Sequence, residues 1–265
     1  MPRWLLTLLR LTPAVASASA LSIVGLIAFR QVVPMSELEK STNEIGNYLQ
    51  TLGGIYAVLL AFVVYVVWGQ FNDARSTVDK EAASLVDLHR TVSGLASLHR
   101  AEIQLELRSY LDAVLAEEWT AMARRDEATI EKVGERLDTV WLAIHRVRPM
   151  NDCQNTIYGE VLSQFNDLSD LRTNRLTTSR ARIPQAMKIL LYTGAVLTTG
   201  SMYLLAIDRL WIHATVTGAL AGAIAHILYL IADLDDTYAG DWQVAAAPFE
   251  RARKHCDRAT HLVDA

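Results

Sequence analysis

Hydrophobic and polar residues are arranged in large blocks along this chain: two apolar segments, a long charged stretch, two more apolar segments and a polar tail. The clearest apolar block covers residues 48–71 and has no charged side chain from Leu52 to Gly69. About 20 apolar residues are enough for a helix to cross a bilayer, and aromatic rings favour the headgroup layer at its ends. Because Tyr48 and Trp68 lie near the two ends, this block is predicted to be a membrane-spanning helix.

The first apolar block permits two interpretations. Residues 14–33 are long enough for a span, preceded by a short interfacial segment around Trp4. Small residues around Ala18 also imitate the cleavage site of a secretory signal peptide, but Arg10 and Pro13 interrupt the apolar region before that site. A spanning helix is therefore favoured over a signal peptide.

Two more apolar blocks follow at residues 185–206 and 210–232, and only three residues join them. Each block has about the length of a membrane span. So short a connection brings two consecutive helices side by side in antiparallel directions. A tight helical hairpin is predicted, which gives the chain four membrane spans.

The stretch between the two pairs of spans is charged and periodic. After Phe71 the polar residues begin without a turn residue, so the second spanning helix is expected to continue into solvent. Apolar positions recur at helical spacing over 127–148 and 157–183, and Pro149 and Pro184 mark the ends of these segments. The alternation typical of strands is absent from this part of the sequence, so a bundle of helices is predicted.

These blocks define the predicted fold class, an all-α polytopic membrane protein with four transmembrane helices and a cytoplasmic helical bundle. The predicted domains are an N-terminal membrane helix pair at 1–71, a cytoplasmic helical domain at 72–184, a C-terminal membrane helix pair at 185–232 and a cytoplasmic tail at 233–265. Lys and Arg are enriched in cytoplasmic loops. With both termini and the large loop in the cytoplasm, only Arg30, Lys40 and Arg209 lie outside, so this orientation is predicted.

Composition narrows the range of functions. A hydrophobic fraction of 51% and a mean hydropathy of +0.18 are too apolar for an ordinary soluble domain. The net charge of −4 argues against binding to nucleic acid, which requires an excess of Lys and Arg. Cys153 and Cys256 lack the spacing of metal ligands and are interpreted as two free thiols.

Signatures of catalysis are missing from the sequence. It has no glycine-rich phosphate loop, no G-x-S-x-G and no H-E-x-x-H. The acidic residues Glu117, Glu118 and Asp126 are interpreted as a polar helix face. The chain is therefore not predicted to be an enzyme, and the only candidate cofactor is a Ca²⁺ ion.

The fourth predicted span contains two features of interest. His226 lies near its middle, where a polar side chain normally faces a partner or water. A hydrogen bond between helices is favoured for His226, with permeation or proton transfer as the alternative. Gly218 and Gly222 form a small-x-x-x-small pair, a pattern typical of closely packed membrane helices.

An uncharged stripe and an acidic cluster are further candidates. The stripe lies along one side of the second span and consists of Ile55, Leu59, Phe62 and Val66. It either contacts lipid or protein core, or lines a hydrophobic constriction that gates a pore by dewetting. The acidic cluster follows the fourth span and consists of Asp233, Asp235, Asp236 and Asp241. It is interpreted as a solvated cap, with a site for a hard cation such as Ca²⁺ as the alternative.

Several short motifs together resemble a known family. They are the segment from Gly54 to Val63, the pairs Glu81-Ala82 and Glu118-Trp119, the segment from Leu85 to Leu88, and the turn from Asp235 to Gly240. From about residue 45 to residue 248, the chain resembles the bacterial bestrophin-like family. Bestrophins proper are pentameric, Ca²⁺-gated anion channels whose second membrane helix lines a hydrophobic neck.

The resemblance implies an oligomeric ion channel in the bacterial inner membrane. It implies that copies of the chain assemble into a homopentamer in the lipid bilayer. It also implies that this pentamer conducts small anions past the constriction in the second span. Two other classes stay open from the sequence. One is a stator-type proton-channel subunit that needs a partner chain, and the other is a membrane scaffold or sensor that conducts nothing.

Overall fold

The computed structural model describes residues 3–40 and 42–263, including the side chains of residues 9–40 and 42–258. This part of the chain is helical and contains no strand, which confirms the predicted all-α fold class. The α-helices are α1 (Arg3–Val32), α2 (Met35–Glu39), α3 (Thr42–Val92), α4 (Ser97–Ala113), α5 (Trp119–Arg124), α6 (Glu127–His145), α7 (Asp152–Arg180), α8 (Gln185–Ser201), α9 (Leu210–Leu234) and α10 (Ala247–Val263). A π-helical turn (Val114–Glu118) connects α4 to α5, and a 3-10 turn (Met202–Leu204) follows α8.

The described residues form two compact units, and the first contains the apolar helices. It includes the residues up to Gly69 together with Arg182–Asp235. Three of its helices are long and apolar enough to cross a membrane within the described ranges: Leu9–Val32 of α1, α3, and α9. The predicted third span is shorter than expected, because α8 has 17 residues and gives way to the 3-10 turn.

Helix α1 packs directly against α9. The hydroxyl of Ser19 donates a hydrogen bond of 2.9 Å to the carbonyl of Gly218. A Cβ atom on Gly218 would lie 2.9 Å from Cδ1 of Ile23, so only glycine permits this approach without a shift. The predicted packing role of the glycine pair is confirmed. Helix α1 also runs through Pro13 without a break, so the separate segment expected before residue 14 is part of one helix.

Helix α3 packs against α8 through its buried side. The Tyr56 hydroxyl donates a hydrogen bond of 2.9 Å to the carbonyl of Leu191, and its ring lies against Gly194. Further along the helix, Leu60, Val63 and Val67 are buried on the same face. The spacing of these four residues is that of one side of an α-helix, so the opposite side of α3 is left uncovered by the subunit.

The second unit comprises Gln70–Ala181 and the described residues from Asp236 onward. Its core is formed by apolar side chains of α3, α4, α6, α7 and α10. Side-chain caps begin two of the helices: Asp126 accepts a hydrogen bond of 3.2 Å from the Thr129 amide, and Asn151 accepts one of 2.9 Å from the Gln154 amide. The two helices predicted over 127–148 and 157–183 correspond to α6 and α7, with α7 beginning five residues earlier than the pattern indicated.

Candidate pore-lining face and buried charge network

The stripe predicted from the second span lies on α3 outside the buried core. Ile55 is 67% exposed in the single subunit and Phe62 is 55% exposed, whereas Leu59 and Val66 are half-buried. No charged residue interrupts this side of the helix between Leu52 and Gly69. An apolar surface of this length requires a cover of lipid, of another subunit, or of the dry lumen of a narrow pore.

A network of charged side chains lies in the core of the second unit. The fully buried Arg175 of α7 binds both carboxylate oxygens of Glu81 on α3, at 2.6 Å from Nε and 3.1 Å from Nη2. The same Nη2 donates to Glu118 at 2.7 Å. Arg172 binds the other oxygen of Glu118 and donates at 3.0 Å to the Ile130 carbonyl. Two positive and two negative side chains therefore neutralise each other away from water.

Burial and charge act in opposite directions on Arg175. Burial disfavours the guanidinium ion, but the carboxylates of Glu81 and Glu118 outweigh this effect and raise the pKa of Arg175. Tyr110 of α4 donates its hydroxyl to Glu81 at 2.9 Å. Burial, together with the negative charge of Glu81, raises the pKa of Tyr110 well above its usual value. Tyr110 therefore remains a hydrogen-bond donor to the network.

Aromatic rings enclose the guanidinium of Arg175. Its Cζ atom lies 5.4 Å from the ring centre of Phe249 on α10 and 6.0 Å from that of Trp119 on α5. Trp119 meets both Phe249 and Tyr238 edge to face, with ring centres 5.7 Å and 5.5 Å apart. A cation over aromatic faces gains electrostatic energy without water. The C-terminal residues of this unit therefore close the network on one side.

The interpretation of Glu118 as part of a solvated helix face is wrong. Glu118 is fully buried, whereas Glu117 pairs with Lys132 at 3.2 Å near the surface and Asp126 caps α6. The sequence held a signal for this burial, because Glu118 lies four residues after the buried Val114. The π-helical turn ends at Glu118, and such turns are rare and frequently occur at functional sites.

The acidic cluster is divided between the two units. In the first unit, Asp235 accepts a hydrogen bond of 2.6 Å from the Ile183 amide on one oxygen and binds Lys188 at 2.7 Å through the other. In the second unit, Asp236 pairs with Arg125 at 3.2 Å. Both carboxylates bind donors of the chain itself, and the alternative of a cation site at this cluster stays a prediction. Within the described ranges, no group of three or more His, Cys, Asp or Glu side chains could hold a metal ion.

The two histidines of α9 have different surroundings. His226 is exposed in the single subunit, and its predicted role between helices stays a prediction. His213 is fully buried, and its Nδ1 lies 3.1 Å from Nη2 of Arg30 while its Nε2 lies 2.8 Å from the Met202 carbonyl. Since a guanidinium only donates, Nδ1 must accept and Nε2 must carry the proton. Arg30 also binds the Ile207 carbonyl, so this cluster joins α1, α9 and the connection before α9.

The helices and the uncovered apolar surface define an all-helical membrane protein. The family model of the bestrophin-like domain matches residues 16–249, and the chain belongs to this bestrophin-like family.

Solved structures of a bacterial bestrophin homologue from Klebsiella pneumoniae have the same fold. One, determined by zinc phasing, has a TM-score of 0.69 at 15% identity over 96% of this chain and 98% of that chain. Another, carrying a single substitution, has a TM-score of 0.70 at 14% identity over 93% of this chain and 99% of that chain. No curated protein sequence matches the chain.

Proposed function

We propose that this chain forms a homopentameric channel that conducts small anions. The observation that carries the proposal is the uncharged, uncovered side of α3 in a chain of the bestrophin-like family. In a closed ring, each subunit presents the same surface to the symmetry axis. Five copies of one apolar helix around that axis would enclose a narrow, weakly wetted passage.

The constriction is assigned to Ile55, Leu59, Phe62 and Val66. An uncharged wall favours ions that lose their water at low cost, which among small inorganic ions are the weakly hydrated anions rather than the strongly hydrated cations. Phe62 has the bulkiest of the four side chains, so it is the residue expected to narrow the passage most. The acidic pair Asp235 and Asp236 has no part in this proposal, because both side chains bind donors of the chain itself.

The orientation in the membrane follows from the distribution of Lys and Arg. We place the protein in the bacterial inner membrane with both termini and the second unit in the cytoplasm. Arg30, Lys40 and Arg209 would then be the only Lys and Arg residues on the outer side. The positive-inside rule supports this arrangement over its inverse.

Anion flux from liposomes tests the proposal. Purified protein is reconstituted, and chloride efflux is compared for the wild type, Phe62→Ala and Leu197→Ala. Leu197 is also an exposed apolar residue, but it lies on α8, so its truncation controls for a general loss of apolar surface. Faster efflux in Phe62→Ala alone supports a constriction at α3. Equal rates in all three proteins would contradict it, and no efflux from inserted oligomers would favour the subunit that needs a partner chain or the scaffold.

A further inference from the structure

A small recess lies between α8 and the last turns of α9, within the first unit. It has a volume of about 90 Å³ and is bordered by apolar side chains together with one ion pair at its edge. Its lining residues are Ile183, Lys188, Leu191, Tyr192, Leu228, Ile231, Ala232 and Asp235. The volume corresponds to roughly three water-sized groups. A recess of this size suits a short hydrocarbon segment better than a bulky ligand.

The position of the recess along the helices points to the edge of the hydrocarbon layer. Helix α9 has the length of a membrane span and ends at Leu234, next to the first carboxylates of the tail. Leu228 and Ile231 lie in its last two turns, and Lys188 and Leu191 lie in the first two turns of α8. At this level of a bilayer, acyl chains meet the glycerol and phosphate groups.

The ion pair at the edge of the recess leaves donors available. Asp235 has a side chain only 6% exposed and is held from the protein side by the Ile183 amide. The Lys188 side chain is 34% exposed, and its ammonium contacts Asp235 at 2.7 Å. An ammonium has three N–H donors, and a single carboxylate oxygen accepts one of them. The other two donors are not taken up by that oxygen, and the Lys188 side chain is the more exposed member of the pair.

Tyr192 extends the same edge. It lies four residues after Lys188 on α8, hence on the same face of the helix, and its side chain is largely exposed. A tyrosine with an apolar ring and a polar hydroxyl favours the interface between hydrocarbon and headgroup. The recess therefore has donors at one end and apolar walls behind them, in the order that a phospholipid presents phosphate, glycerol and acyl chain.

We propose that this recess binds a membrane phospholipid, with the phosphate accepting hydrogen bonds from Lys188 and the first methylene groups of one acyl chain between Leu191, Leu228 and Ile231. The Lys188–Asp235 pair carries no net charge, so the site recognises the phosphate by hydrogen bonds and requires no net negative lipid. The proposal concerns a lipid and stands whether or not the protein conducts ions.

Photolabelling in vesicles tests the site. The full chain is reconstituted in phosphatidylcholine vesicles that contain a trace of phosphatidylglycerol with a diazirine on the upper part of one acyl chain. After irradiation, labelled peptides are mapped by mass spectrometry. Label is expected on the peptides that cover 185–192 and 228–235.

Two alanines of α9 provide a matched pair of variants. Ala232 lines the recess and Ala223 lies elsewhere on the same helix, and both are exposed. Ala232→Leu adds bulk to the recess and retains both members of the ion pair, and should reduce the label by about tenfold, the effect expected when a few methylene groups lose their contacts. Ala223→Leu should retain it. Equal labelling of the two variants, or no label on these peptides in the wild type, would overturn the proposal.

The phosphate contact is tested separately. A diacylglycerol with the same diazirine lacks the phosphate and should label the wild type several-fold less than phosphatidylglycerol does. In Lys188→Met, whose side chain has no hydrogen-bond donor, the two probes should label equally. A wild type that takes up both probes equally would refute the role of Lys188, and protection by millimolar inorganic phosphate would show a phosphate site rather than a lipid site.

Discussion

The two units of this chain place their polar and apolar side chains in opposite ways. In the first unit, large apolar residues such as Ile55, Phe62 and Tyr65 are exposed, and the helices are joined by isolated polar contacts such as the Tyr56–Leu191 hydrogen bond and the Arg30–His213 cluster. In the second unit, the core itself contains the ionic network around Arg175. The apolar surface of the first unit suits lipid, which does not solvate charge, whereas the second unit can bury its charges because each one has an opposite partner.

The two units also hold their helices together by different contacts. The first unit relies on close approach, as where Gly194 meets the Tyr56 ring and Gly218 meets Ile23. The second unit relies on directional charge, since Arg175 links α3, the π-helical turn and α7 at one point. Small residues substitute for the hydrophobic effect in lipid, where burial alone gives no driving force. A substitution that disrupts a close contact at glycine should therefore destabilise the first unit only. A substitution that breaks the ionic network should destabilise the second unit only.

The largest effect is expected from Arg175→Met in the second unit. The substitution keeps the volume but leaves Glu81 and Glu118 buried without their shared partner, which costs about 3–5 kcal/mol in comparable cases. The melting temperature followed by circular dichroism should fall by many degrees. Arg180→Met is the control, because the Arg180–Glu127 pair is exposed and such pairs contribute only about 0–1 kcal/mol. Similar melting temperatures for both variants would show that the network contributes little.

A smaller loss is expected from Tyr110→Phe. The substitution removes the hydrogen bond to Glu81, and hydrogen bonds to charged groups contribute about 1.5–3 kcal/mol. Since the pKa of Tyr110 is raised in the folded state, its contribution is complete below the pKa of an unfolded tyrosine, near pH ~10, and declines above it. The difference in melting temperature between wild type and variant should therefore narrow in alkali. A difference that stays constant across this range would contradict the contact.

In the first unit, Gly194→Ala should destabilise the packing of α3 on α8. The new methyl group would overlap the Tyr56 ring, which cannot turn away while its hydroxyl is bound to Leu191. Overpacking of this kind costs about 1–3 kcal/mol. Gly53→Ala is the matched control, since a Cβ there meets nothing within 4 Å. The melting temperature should fall only for Gly194→Ala, and equal values would show that the two helices can separate freely.

The smallest effect concerns reactivity. Cys256 is buried on α10, and burial, followed by the nearby Asp257, raises the pKa of its thiol to about 11. Cys153 is exposed. Maleimide at neutral pH should therefore label Cys153 rapidly and Cys256 only after denaturation, as measured by mass spectrometry. Rapid labelling of both in the native protein would show that α10 is detached from the second unit.

The sequence predicted the apolar helices because length and lack of charge are local properties. The spans on α1, α3 and α9 follow from uninterrupted apolar residues, and the glycine pair indicated the close packing of α9. The length of α8 was overestimated, since residues 202–206 are as apolar as the helix before them. Composition cannot tell a helical turn from a 3-10 turn when both are apolar.

The charge network was missed for a different reason. Glu81, for example, lies on an apolar stripe between Val78 and Leu85. Helical periodicity is a local pattern, so it does not reveal which distant residue neutralises the charge of such a side chain. Glu118 and Arg175 are 57 residues apart. A charged residue at a core position is thus a signal for a buried ion pair, and its partner is found only when the helices are placed.

Currents across a planar bilayer test the central claim, an anion-conducting pore lined by α3. Purified protein is incorporated between unequal chloride concentrations, and the wild type is compared with Phe62→Ala and with Leu197→Ala. A reversal potential that follows the chloride gradient, with higher conductance in Phe62→Ala alone, is the predicted result. A current that follows the cation gradient, or one that no substitution on α3 alters, would contradict the claim.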